Sequence, residues 1–140
     1  MRIFLTLFIL LFLNTAYCCS CEPLGKIDDQ QYNKYDLIFI GKVVSIKKKL
    51  GMKEVAFESQ TKFKGVHSSS KIIIMTSAYE SECGILPKIG DEWLVFSYFD
   101  KDRFKTNLCT RTKSMNKKAW NYNKEELQQD IEYLNQKLRG

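Results

Sequence analysis

The residues best equipped for chemistry lie in one short run, Cys18-Cys19-Ser20-Cys21-Glu22-Pro23. Clustered thiols can pair as disulfides, ligate a soft metal ion or exchange with other disulfides, and the compartment decides which. What precedes them points to export. Arg2 is followed by an apolar stretch over residues 3–13, interrupted only by Thr6. That makes a charged n-region and an h-region too short to span a bilayer. Ala16 and Cys18 then stand three and one residues before a small-x-small cleavage point, with Tyr17 between them. The expectation is a signal peptide over residues 1–18 and a mature chain starting at Cys19 with a free α-amino group. Its location would be secreted, extracellular or periplasmic. The competing outcome is a lipid-anchored form, in which Cys18 or Cys19 is the acylated residue; Tyr17 is bulky for the position before a lipidated cysteine.

Cleavage turns an odd cysteine count into an even one. Of five cysteines, Cys19, Cys21, Cys83 and Cys109 would remain, which in an oxidising compartment reads as two disulfides. Pairing Cys19 with Cys21 would close a very small strained ring and is set aside on geometry. Two connectivities stay open: Cys19 with Cys83 and Cys21 with Cys109, or Cys19 with Cys109 and Cys21 with Cys83. Every such bridge closes a long loop and contributes about 4 kcal/mol in the chain-entropy model. A structural zinc site from Cys18, Cys19, Cys21 and His67 is the weaker reading, because export favours bridging over thiolate ligation. So is a redox enzyme acting through Cys19-Ser20-Cys21, since such pairs belong at the strand–helix junction of a βαβ unit, which this sequence lacks. No other nucleophile–base or carboxylate pair stands out. Asp28, Asp29, Asp100 and Asp102 read as turn and cap residues. Neither an enzyme nor a cofactor of its own is expected.

The elements that must position these cysteines are mostly strands. With 140 residues, residues 19–140 suffice for one domain with a real core. Residues 36–47 are rich in β-branched and aromatic side chains and read as a largely buried strand, with Gly41 marking a bulge. Lys47-Lys48-Lys49-Leu50-Gly51-Met52 makes a basic hairpin tip. Val55, Phe57, Ser59, Thr61 and Phe63 then alternate with polar neighbours as a half-buried strand does. Residues 71–76, 92–99 and 103–109 supply three more strands. Five strands joined mainly by short turns suggest a small closed or partly open barrel over residues 36–112. The tail changes period: Asn123 and Glu126 form an N-cap and capping-box pair. Leu127, Ile131, Leu134 and Leu138 then line one face of an amphipathic helix over residues 124–138. The formal charge of +6 serves solubility and allows weak attraction to anionic surfaces. Nucleic acid is excluded as a partner because export separates the chain from it. A monomer is expected.

Taken together, these residues resemble the tissue inhibitors of metalloproteinases, specifically their N-terminal netrin-like (NTR) domain, over residues 19–112. The resemblance rests on the Cys-Ser-Cys-Glu-Pro start, Phe39-Ile40-Gly41-Lys42-Val43 and Phe63-Lys64-Gly65. It continues through Glu80-Ser81-Glu82-Cys83-Gly84, Gly90-Asp91-Glu92-Trp93-Leu94-Val95 and Asn107-Leu108-Cys109. It implies a five-stranded OB-type barrel and the pairing of Cys19 with Cys83 and Cys21 with Cys109. It also implies a partner, a zinc metalloendopeptidase, whose catalytic zinc would be chelated by the α-amine and carbonyl oxygen of Cys19. Ser20 would enter the protease's specificity pocket. Cys21, Glu22 and Pro23 would continue along the cleft, and Glu80 and Ser81 would fill its opposite side. The family's third N-terminal disulfide has no counterpart here, and residues 113–118 with the capped helix stand where its second domain begins. NTR domains also serve as binding modules without inhibitory activity, so an exported or lipid-anchored binding module is the alternative.

Overall fold

The structure is a computed structural model that describes residues 19–65 and 68–140. The expected signal peptide, Cys18 and His67 lie outside the described residues. A run of thirteen residues, Leu37–Lys49, forms β1, and the turn at Leu50 and Gly51 returns the chain as β2, Met52–Lys64. The two pair antiparallel from Lys49 opposite Met52 to Ile38 opposite Lys64, with a register shift between Ile40 and Gly41. Glycine is required there. A Cβ on Gly41 would lie 2.9 Å from the Phe39 ring and 3.0 Å from the Glu58 carbonyl oxygen. The expected bulge is therefore present, and it bends the strand where it must curve.

β3, Lys71–Ser77, pairs with β2. β4, Glu92–Asp100, pairs along β1 from Leu37 opposite Ser97 to Lys42 opposite Glu92. β5, Arg103–Lys105, joins β4 antiparallel and β3 parallel. These pairings close a ring of five strands, β1–β2–β3–β5–β4, and β6, Lys113–Ser114, hangs on β4 as a sixth. The protein is thus mainly β, with one strand more than the sequence suggests. The expected strand over 103–109 is shorter than anticipated and stops at Lys105. Beyond it the Thr106 hydroxyl donates to Phe96 O at 2.8 Å and lies 2.6 Å from the Thr112 hydroxyl. Side-chain hydroxyls that bond the backbone offer the chain an alternative to continuing the ladder.

Two apolar clusters fill the molecule. Leu37, Phe39, Val43, Val55, Phe57 and Ile72 pack inside the ring. Ile38, Phe63, Leu94 and Phe96 point the other way, and α2 covers them with Leu127 and Leu134. This explains why residues 37–40 read as an unbroken apolar run, since β1 is buried on both faces. α1, Asp29–Asn33, is capped by Asp28, whose carboxylate accepts from Gln31 N. α2, Lys124–Arg139, is capped by Asn123, which accepts from Glu125 N and Glu126 N. The capping box is not closed. Glu126 instead pairs with Lys113 at 3.0 Å. Burying Leu134 completely stabilises the fold by about 1.5–3 kcal/mol. Leu138, expected on the same stripe, stays 53% exposed. Among the described residues no helix is long and apolar enough to cross a membrane.

Candidate functional site

The cysteines converge. Cys19 is bridged to Cys83 and Cys21 to Cys109, with Cα separations of 5.1 and 5.0 Å, so of the two open connectivities the structure has the one that the resemblance implies. All four sulfurs lie within 4.8 Å of one another. The bridges fasten an otherwise irregular segment: Ser20, Cys21, Glu22, Pro23, Leu24 and Gly25 are all exposed, and Cys19 is half-buried. The result is a ridge standing on the sheet, tied down at Cys19 and Cys21.

The loop that receives Cys19 is built for close approach. Glu80–Glu82 forms a single 3₁₀ turn whose end, Cys83, adopts a left-handed conformation at φ 61°. Gly84 N donates to Tyr79 O at 3.0 Å, and a Cβ at Gly84 would fall 2.2 Å from Ser77 O. Only glycine fits that contact. The Ser77 hydroxyl accepts from Tyr79 N at 3.1 Å and donates to Glu82 Oε2 at 2.6 Å, fixing the turn. Glu80 and Ser81 are exposed on this turn, three and two residues from the Cys83 bridge to Cys19. The loop that receives Cys21 is held by Asn107, whose Oδ1 accepts from Cys109 N at 2.9 Å and Thr110 N at 3.1 Å. Leu108 N donates to Cys83 O at 2.8 Å, which locks the two receiving loops together.

A second anchor fastens the far end of the ridge. Arg111, buried two residues beyond Cys109, donates through Nη2 to Gly25 O at 3.0 Å and through Nη1 to Gln31 Oε1 at 2.5 Å. Gln31 in turn donates to Leu24 O and, at 3.1 Å, to Lys26 O. Behind Arg111 stands Asp130 of α2, fully buried, accepting from Nη2 at 2.7 Å and Nε at 3.1 Å. Its other oxygen lies 3.1 Å from Lys113 Nζ without making a hydrogen bond, so that contact is Coulombic. Burial pushes the Tyr35 hydroxyl above its ordinary pKa, and that hydroxyl accepts from Arg111 N at 3.3 Å. A cavity of about 230 Å³ separates the ridge from the lead-in to α2, walled by Cys21, Leu24, Arg111 and Trp120 among others.

The predicted residues Ser20, Cys21, Glu22 and Pro23 therefore form one exposed edge beside the half-buried Cys19, whose bridge to Cys83 joins it to the turn carrying Glu80 and Ser81. Sequence reasoning missed Arg111, Gln31 and Asp130. One signal was available: Asp130 falls three residues after Leu127 and four before Leu134, a charge on the apolar face of the helix. Two disulfides are compatible with an extracellular location. Compared with known proteins, the chain matches no family model and none of the curated proteins.

Proposed function

We propose that the chain is an exported inhibitor of zinc metalloendopeptidases, related to the tissue inhibitors of metalloproteinases, and that its ring of strands is the OB-type barrel of an NTR domain. The observation that carries this reading is the pair of bridges from Cys19 to Cys83 and Cys21 to Cys109. They mount an exposed N-terminal ridge beside the Glu80–Glu82 turn. In this reading the mature N-terminus is Cys19. Its neutral amine and its carbonyl oxygen would displace the water on the target's zinc, removing the nucleophile that zinc activates. Ser20 would face the specificity pocket, Glu22 and Pro23 would follow the cleft, and Glu80 and Ser81 would flank it. Rigid mounting supports the reading, because a ridge fixed at Cys19, Cys21 and Gly25 loses little conformational entropy on docking. The zinc belongs to the target; the inhibitor brings no metal of its own.

The test is the purified mature chain against a panel of zinc endopeptidases, with its Cys19 start verified by mass. An added Ala before Cys19 turns the amine into an amide and is expected to weaken inhibition by at least about 100-fold. Even outer-shell losses at zinc sites cost roughly 10–100-fold. Inhibition by the native chain should also weaken as pH falls below the α-amine range, about 7.7–8.0, because protonation competes with zinc. Equal inhibition by the extended chain would refute chelation. The cavity beside the ridge, with Trp120 exposed at its rim, favours a second reading as a binding module. No inhibition across the panel would select it.

A further inference from the structure

The four cysteine sulfurs are closer to a metal-binding arrangement than two separate bridges require. Across the bridges, Cys83 and Cys109 sulfurs lie 3.5 Å apart, Cys19 and Cys21 3.8 Å, and Cys19 and Cys109 4.0 Å. A tetrahedral zinc with Zn–S bonds of about 2.3 Å places its sulfurs about 3.8 Å apart. Three of the six separations are thus already near the tetrahedral value, and all six are within 4.8 Å. Only the two bonded pairs must part, a motion within reach of side-chain rotation.

We infer that, when its two disulfides are reduced, the chain binds one zinc ion through the thiolates of Cys19, Cys21, Cys83 and Cys109. Other contacts would help to bring the ligands together once the covalent bonds are gone. Leu108 N to Cys83 O keeps the two receiving loops together. Arg111 holds Gly25 O, four residues from Cys21, and Gln31 holds Leu24 O and Lys26 O. Four thiolates select a soft or borderline ion, zinc, over calcium or magnesium. The spacing of Cys19 and Cys21, one residue between ligands, is tighter than in common zinc motifs; the long separations to Cys83 and Cys109 are supplied by the ring.

The chemistry balances with a phosphine as reductant. Each disulfide and one water yield two thiols, while the phosphine is oxidised to its oxide. Four thiols then release four protons to solvent as one Zn²⁺ binds, leaving the site with charge −2. Such a state fits a chain still in a reducing compartment, before its bridges form. It would hold the future bridge partners side by side. The inference is independent of the inhibitor reading, since it concerns zinc bound by this chain's own thiolates.

The test reduces the protein with tris(carboxyethyl)phosphine under inert gas, adds one equivalent of Zn²⁺, removes unbound metal by gel filtration and counts zinc by mass spectrometry. One zinc per reduced chain and none per oxidised chain is the expected result. Co²⁺ in place of zinc should give the absorption of a tetrahedral four-thiolate site. In the reduced state Cys83→Ser with Cys109→Ser is a like-for-like comparison, because the parent also lacks bridges. It should weaken zinc binding by at least about 100-fold, beyond the roughly 10–100-fold of outer-shell changes. Equal zinc in the oxidised and reduced proteins, undiminished binding by the double variant, or a Co²⁺ spectrum of fewer than four thiolates would each overturn the inference. So would zinc binding without recovery of near-ultraviolet circular dichroism, which would place the metal on an unfolded chain.

Discussion

Replacing Asp130 with alanine tests the anchor behind the ridge. Asp130 is fully buried and faces two cations that are themselves nearly buried, Arg111 at 3% and Lys113 at 8% side-chain exposure. Removing one partner of a buried pair leaves an uncompensated charge out of water and costs roughly 3–5 kcal/mol. The low end applies here. Arg111 keeps Gly25 O and Gln31 Oε1 as neutral acceptors, and Lys113 keeps Glu126. A loss of about 3 kcal/mol is expected. For a chain of this size that lowers the melting temperature by about 10 °C. Urea unfolding followed by circular dichroism should show the midpoint falling with the slope unchanged. The paired variant Asp130→Leu with Arg111→Met removes both charges and should recover most of the loss, because apolar replacement of a buried pair is often neutral or stabilising. A cost below about 1 kcal/mol for Asp130→Ala would show that the contact is not desolvated and refute the reasoning.

Replacing Cys21 and Cys109 together with serine should cost about 4 kcal/mol, since the bridge spans 88 residues; peptide mapping should still find Cys19 joined to Cys83. Gly84→Ala should destabilise by about 1–3 kcal/mol, because the new methyl meets Ser77 O. Proteolysis rates of the loop carrying Cys83 should rise with it, and an unchanged melting curve would contradict the crowding. The Asp29 carboxyl is held below its ordinary pKa by hydrogen bonds from Lys137 and then from Tyr133. A depressed carboxylate stabilises the fold above its unfolded pKa and loses that contribution as pH falls through the folded value. The contact between α1 and α2 should therefore open only in acid below the usual carboxylate range. Carbon-13 titration of Asp29 reads this directly, and a midpoint at or above the ordinary value would disprove it.

Much of the architecture was legible because local rules sufficed. Residues 36–47 and 92–99 are rich in β-branched and aromatic side chains and fall almost wholly within β1 and β4, and the stripe of Leu127, Ile131 and Leu134 has a helical period. Gly41 carried its own steric reason. The shortened β5 was not legible, because Thr106 turns inward only when Phe96 O and Thr112 are already placed beside it. The capping box failed for a similar reason. Glu126 had a local partner available, and Lys113, thirteen residues away in the chain, displaced it.

By itself the sequence determined the mainly β character, the C-terminal helix, and a choice of two disulfide connectivities. Cysteine count and ring strain are properties of the chain alone. Only the tertiary structure decided which cysteines meet, since that depends on the Leu108 to Cys83 backbone contact that brings two distant loops together. It also decided that Arg111 and Asp130 would be buried as a pair. No local pattern encodes a salt bridge between a loop and a helix nineteen residues apart; it exists because closing the ring beneath α2 excludes water from both groups at once.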